Sequence, residues 1–457
     1  MVVQEEVLGT TDYVLVLLLP NSCAILVRRG GNANLLPCVS IPQRVRPAQE
    51  LRKAIHDRWD LHVLVLDFLP AQGTSRACAV LEVLIAPTEN GWKTVLLEQL
   101  APCELSDEQY STAARILSGE GPSPFSRIGW IDEAVGWLET ATGETVFSKL
   151  GIAQYNASGH FSLIRFHAES GSSYWLKATG EPNAHEMSVT ILLSKLCGSY
   201  LPKLIATKPA WNAWLMMEEA KSFEETPLDT ESHYQRLEHA AISLAELQIG
   251  TVGQKTNLLS AGAFDQSAAQ VLEHSQALFD YLERAFSLQT STKAHRLERE
   301  RIREVGEIFA EVCHRLLDLD LPETIVHGDL NSGNILTGAG CCQFIDWSEA
   351  YFGSPLISLQ HLLLLNRSED SQRGSLIDRL LWNRYRSAWL TVCSPSTLDA
   401  ALPYMPLLAV VSSLFGRGDW LRSGHRDNSH HQKYARNLAR HMDRAAASPE
   451  LLEVLKR

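Results

Sequence analysis

The chain lacks any excess of basic residues: 41 Lys and Arg stand against 53 Asp and Glu, a formal net charge of −12. That balance argues against a nucleic-acid partner, whose phosphates require a basic face. No apolar run reaches the roughly 20 residues of a membrane span, so the sequence offers no membrane partner. The opening stretch MVVQEEVLGTTDY is acidic where a secretory signal is basic. Nine scattered cysteines, an odd number, do not make a disulfide frame, and they point to a reducing, cytoplasmic compartment. What is present is an ordered globular composition, 45% hydrophobic and 21% charged. At 457 residues the chain exceeds one compact core, and two or three domains are expected.

The stretch that organises the chain is Thr324 to Trp347, TIVHGDLNSGNILTGAGCCQFIDW. It reads as strand, polar loop, strand, turn, strand. Ile325 and Val326 lead into His327-Gly328-Asp329, and Ile335-Leu336 follow the loop that ends at Asn334. Gly338 and Gly340 turn the chain into Cys342–Ile345, which ends at Asp346. Asp329, Asn334 and Asp346 therefore sit at the ends of short apolar strands. Phosphoryl transfer from a nucleotide needs such a set: one carboxylate to orient the attacking hydroxyl and take its proton, and an amide oxygen and a second carboxylate to hold Mg²⁺. Hard oxygen donors, with no Cys or His among the three, suit that ion. The alternative is a polar loop whose Asp and Asn cap turns.

The spacing H-G-D-x-x-x-x-N from His327 to Asn334, followed by an apolar strand ending in Asp346-Trp347, resembles the aminoglycoside phosphotransferase and choline kinase family. That resemblance implies a bilobal protein-kinase-like fold of the α+β class. It also implies Asp329 as catalytic base, Asn334 and Asp346 as Mg²⁺ ligands, and a small-molecule hydroxyl as acceptor of the γ-phosphoryl of ATP, with GTP as the other candidate donor.

Upstream, residues 150–222 read as the nucleotide lobe of that domain. A first strand approaches the turn Asn156-Ala157-Ser158-Gly159, Phe161–His167 forms a second, and Tyr174–Ala178 a third. Small residues at Ser158 and Gly159 would let backbone N–H groups approach phosphates, although an ordinary hairpin turn reads the same way. Lys177 lies in Trp-Leu-Lys-Ala and needs a partner for its ammonium. The resemblance makes that partner the nucleotide phosphates, with Glu186 pairing as well. Glu181-Pro182 reads as the start of a helix running to Leu196. Ala213–Glu219 reads as the last strand and exit, where Glu218 and Ala220 would meet the nucleotide base through backbone groups.

The first 145 residues read as a small mixed α/β domain. Strands are expected over Tyr13–Pro20, Ala24–Arg28, Val63–Leu69 and Ala79–Ala86, and a helix over Pro47–Asp60 with Leu51, Ile55 and Trp59 on one face. The order resembles a Nudix domain with its chemistry missing. Lys53, Ile55 and Leu61 hold pattern positions, while Val39, Val45, Ala54 and Arg58 replace the glycine and acids, leaving Asp57. One carboxylate cannot hold the metal that pyrophosphate hydrolysis requires, so the resemblance implies a docking or regulatory module. An unrelated α/β domain is the alternative. Gly119–Ser126 reads as a linker before a helix over Ile128–Thr142.

The expected organisation is thus 1–145, a small α/β domain, and 146–457, a kinase-like domain divided into 146–222 and 223–457. The second part is helical, over Tyr234–Gln248, Ser267–Phe286, Lys293–Leu319, Leu356–Leu365, Leu376–Leu390, Leu398–Phe415 and His430–Arg444. Trp382, Trp389, Trp420, Glu349 and Asp419 are available for an acceptor, and none is assigned to it. The competing function is a nucleotide-binding scaffold without turnover.

Overall fold

The computed structural model describes residues 9–20, 22–30, 33–43, 45–71, 76–85, 87, 91–100, 104–144, 151–222, 230–337, 340–365, 371–421 and 426–456. The turn residue Gly338, the expected boundary near 145 and the side chain of Asp419 lie outside the described part. The chain divides into two compact units, residues 1–187 with 203–218, and residues 188–202 with 219–457.

The first unit is built on two sheets. One comprises β1 (Thr10–Leu18), β2 (Ala24–Gly30), β3 (Ala33–Leu35), β4 (Cys38–Pro42), β5 (Val63–Leu69), β6 (Ala77–Val83) and β7 (Trp92–Leu96). Its order is β3-β2-β1-β6-β5, with β4 also on β1 and β7 also on β2; β1 and β6 run parallel. Strand period 2 explains why the second half of β1, Val14–Leu18, is apolar at every position. Val14, Val16 and Leu18 enter one core, and Leu15 and Leu17 enter another with Leu51, Ile55 and Trp59 of the helix Pro47–Trp59. A strand buried on both faces has no reason to alternate.

The second sheet comprises β8 (Ala153–Ser158), β9 (Phe161–His167), β10 (Ser173–Thr179), β11 (Leu204–Lys208) and β12 (Ala213–Met217), in the order β11-β12-β10-β9-β8. Ile164, Phe166, Leu176 and Leu215 from this sheet share a core with Val14, Val16 and Val80 from the first, and with Trp130 and Leu138 of the helix Trp130–Thr142. The two sheets thus fold around common apolar material.

The second unit is mainly helical. Its core joins Leu237, Leu244, Phe309, Tyr385 and Trp389 with residues of two small sheets. These contain β13 (Lys221–Ser222), β14 (Phe264–Gln266), β15 (Thr324–Val326), β16 (Ile335–Thr337), β17 (Cys342–Phe344) and β18 (Tyr351–Gly353), in the orders β13-β16-β17 and β14-β18-β15. One stretch, Pro395–Phe415, has the length and apolar composition of a membrane span, contrary to the sequence reading. It is divided into Pro395–Ala401, a 3₁₀ turn at Leu402–Tyr404 and Met405–Phe415, and Leu398, Leu407 and Val411 are buried in this core.

Candidate active site

In the second unit the loop after β15 is held from three directions. The backbone N–H of His327 donates to Ser358 Oγ (3.0 Å). Its ring Nε2 lies 2.8 Å from the Ile345 carbonyl, which can only accept, so Nε2 carries the proton. The ring also packs on Trp347, centroids 4.6 Å apart. Gly328 has no room for a side chain: a Cβ there would lie 2.3 Å from the Glu349 carbonyl oxygen. Glycine at this place serves close backbone approach, which brings the Asp329 loop against the turn after Asp346.

Asn334 ends a 3₁₀ turn, Ser332–Asn334, whose start is capped by Asn331 Oδ1 accepting from Gly333 N–H (2.9 Å). Asn334 Nδ2 donates to the Asp329 carbonyl (2.7 Å), and its own carbonyl accepts from Ile345 N–H (3.1 Å). Asn334 is therefore tied to both Asp329 and the end of β17. Asp346 adopts the left-handed region, φ 65°, a conformation that Asp tolerates better than most residues. Its Oδ1 accepts from Ser348 Oγ (2.9 Å). The structure thus brings Asp329, Asn334 and Asp346 into one neighbourhood of one unit.

A cavity of about 790 Å³ opens beside Asp329, lined among others by Glu349, Tyr351, His361, Arg417 and Tyr434. Desolvation in this cavity, together with the charges of Asp329 and Asp346, raises the Glu349 carboxyl above its ordinary range, and Arg417 partly offsets this. Burial beside His327 lowers His361, which favours its neutral form. Of the acceptor candidates in the sequence, Glu349 lines this cavity. Trp389 is fully buried, Trp420 donates its indole N–H to the Phe415 carbonyl (3.0 Å), and Trp382 stacks on Tyr385, so these three are packing residues. His327, Ser358 and Gly328 carry the local architecture; the sequence held the first and last within the motif but gave no sign of Ser358, some 30 residues further on.

In the first unit Lys177 and Glu186 meet at 2.5 Å, 5% and 1% exposed respectively. The ammonium also lies over Phe161 and Trp214, at 5.4 and 5.8 Å from the ring centroids. The helix starts at Glu186, not at Glu181. Residues 181–185 form turns instead, with Asn183 N–H donating to Gly180 O and Asn212 Nδ2 to Ala184 O (2.8 Å). Competing side-chain and turn hydrogen bonds displace the helical start.

The β8–β9 turn also differs from its sequence reading. Asn156, Ala157 and Ser158 belong to β8 and pair with β9, leaving a two-residue turn at Gly159-His160. Gly159 is buried and donates its N–H to Asp67 Oδ1 of β5 (2.5 Å); the His160 N–H donates to Ser158 Oγ (3.2 Å). Both donors of the turn thus have acceptors within the protein. At the end of β12, Glu218 accepts two 2.5 Å bonds from Arg165 and one from Trp175 Nε1 (2.8 Å), and its backbone N–H donates to Ser173 O (2.9 Å). The chain passes to the second unit after this residue, and Ala220 lies in irregular backbone just before β13.

Residues 195–390 match the model of the phosphotransferase enzyme family. This segment holds Asp329, Asn334 and Asp346 and excludes Lys177 and Glu186. No curated protein matches the chain. Among solved structures it is similar to a macrolide 2′-phosphotransferase from Brachybacterium faecium (15% identity, 67% of this chain and 96% of that one, TM-score 0.45). It is also similar to a choline/ethanolamine kinase family protein from Mesorhizobium loti (14%, 71% and 98%, TM-score 0.44) and an ethanolamine kinase from Plasmodium vivax (13%, 77% and 96%, TM-score 0.45). The family match is thus confined to residues 195–390, the segment that holds the three motif residues, and the chain's mixture of helices and sheets is of the α+β class.

Proposed function

We propose that the protein transfers the γ-phosphoryl group of ATP, or of GTP, to a hydroxyl of a small molecule. The observation that carries this reading is the tethering of Asn334 to Asp329 and to Ile345, the residue before Asp346, with Asp329 lining a cavity large enough for a small acceptor. Asp329 lines that cavity, where it orients the acceptor hydroxyl and takes its proton. Asn334 and Asp346 would hold Mg²⁺: the amide nitrogen of Asn334 is turned to Asp329, so its oxygen is the end left for a cation, and the surrounding carboxylates supply the charge. Bound there, the ion would neutralise charge on the transferring phosphoryl group. In the first unit Lys177, oriented by Glu186, holds the nucleotide phosphates. The module before β8 acts as a docking or regulatory element rather than a hydrolase.

The test is ADP release from ATP and Mg²⁺ against a panel of hydroxyl compounds. Asp329→Asn is expected to lose turnover by about 10³-fold or more while keeping its thermal midpoint. Near-normal turnover in that variant would remove Asp329 from the mechanism. A second reading is a nucleotide-binding scaffold without turnover, since the engaged donors of the β8–β9 turn are not left for a transferring phosphoryl group. ATP binding with no transfer to any acceptor would support it.

A further inference from the structure

Edge strands leave backbone groups unpaired, and β8 is the edge of its sheet. Here the edge is covered by the N-terminal module of the same unit. Arg52, on the helix Pro47–Trp59, donates to Val63 O (2.8 Å) and Ile152 O (2.9 Å), bridging β5 to the start of β8. The buried Gln154 side chain accepts from Val65 N–H (2.9 Å) and donates to Val65 O (2.8 Å), filling the irregularity in β5 between Val65 and Asp67. Asp67 then takes the Gly159 N–H at the tip of the hairpin, together with the N–H of Phe68 (2.8 Å). A Cβ at Gly159 would lie 2.7 Å from Asp67 Oδ2 and 2.8 Å from Pro122. Gly159 is therefore explained by the approach of Asp67, not by the approach of a phosphate.

These contacts run along β8 from the residue before it to its turn, and the last falls on the turn that the sequence reads as the cover of the nucleotide phosphates. We propose that Asp67 is a positioning residue for nucleotide binding: it holds the β8–β9 turn in one conformation, making the N-terminal module part of the nucleotide-binding apparatus. The inference rests on the reading of β8–β10 as the nucleotide lobe. A hairpin tip in solvent samples many conformations, and one must be selected when the ligand binds. A buried carboxylate accepting two backbone N–H groups removes that freedom beforehand, which is preorganisation. His160, the second residue of the turn, and Cys78 of β6 also face Asp67.

The experiment measures the Kd for ATP with Mg²⁺ by calorimetry on the full chain. Asp67→Ala, which orphans the Gly159 N–H, is expected to weaken ATP binding about tenfold. Asp67→Asn keeps an oxygen acceptor at the same place and is expected to bind within about threefold of wild type. Gln154→Ala loosens the same contact away from the tip; it is expected to lower the thermal midpoint and leave Kd within about threefold. Unchanged or tighter ATP binding in Asp67→Ala would overturn the proposal, and so would equal weakening in Asp67→Ala and Gln154→Ala, which marks a merely structural contact. Absence of ATP binding in the wild type would overturn the nucleotide-lobe reading along with it. Wild-type binding that is indifferent to Asp67 overturns this inference alone.

Discussion

Removing the ammonium of Lys177 should expose the cost of burying the Glu186 carboxylate without that charge. Lys177 and Glu186 are 5% and 1% exposed and 2.5 Å apart, so neither has water as an alternative partner. In Lys177→Met the apolar stem is nearly preserved, and the loss falls on the charge. Glu186 must then stay ionised without its partner or take up a proton. Protonating a carboxyl of ordinary pKa about 4.3 costs about 3.7 kcal/mol at pH 7 and about 1 kcal/mol at pH 5. The first figure falls within the 3–5 kcal/mol, roughly, that follows removal of one member of a buried pair. The sign follows from linkage: in this variant the folded-state pKa of Glu186 lies above its unfolded value. The contribution is full below the unfolded pKa and lost as pH rises through the folded one. The assay is amide hydrogen exchange over β10 and the helix Glu186–Leu196, with urea unfolding at pH 7 and pH 5. Exchange over β10, which lies in the first unit, localises the loss there, and this matters in a two-unit chain where a single unfolding free energy is ill defined. Lys177→Met with Glu186→Leu removes both charges and should recover most of the loss. A loss below about 1 kcal/mol at pH 7, or one that does not shrink at pH 5, would refute the reasoning.

Gly328→Ala places a methyl 2.3 Å from the Glu349 carbonyl, and backbone cannot rotate away as a side chain can. It should destabilise the second unit by about 1–3 kcal/mol or more and also abolish turnover, measured by thermal unfolding and ADP release. Burial raises the Cys78, Cys313 and Cys342 thiols to about 12, while Cys23 is exposed. At pH 8 only about one in 10⁴ of each buried thiol is thiolate, so iodoacetamide followed by mass spectrometry should label Cys23 and spare those three. Rapid modification of Cys342 in the folded protein would show that β17 opens readily.

Much of the site was legible because it is local. Asp329, Asn334 and Asp346 fall within 18 residues, and alternating short strands and polar loops suffice to place them together. The strands themselves were legible, but their pairing was not. β15 joins a sheet with β14 and β18, whereas β16 and β17 join β13, and nothing within a three-residue strand specifies its partner. The same brevity hid β14 and β18, which have too few residues to show a period. Ser358 became a partner of His327 only through folding. The three tryptophans and Glu349 were equal candidates in the sequence, and burial separated them.

The sequence by itself determined which groups are at hand: two carboxylates and an amide within one motif, a lysine in a strand and a glutamate near it. Residue type and spacing along one strand or loop carry that information, because covalent geometry fixes what neighbours can reach. Tertiary structure alone decided the rest. It paired Lys177 with Glu186 across a turn, gave Glu349 a cavity, and joined the N-terminal sheet and the β8–β12 sheet around one core. It also gave Gly159 to Asp67, 92 residues away in sequence. A glycine in a turn states only that close approach is permitted. Which group makes the approach is set by the packing of β5 against β8, and no local pattern records it.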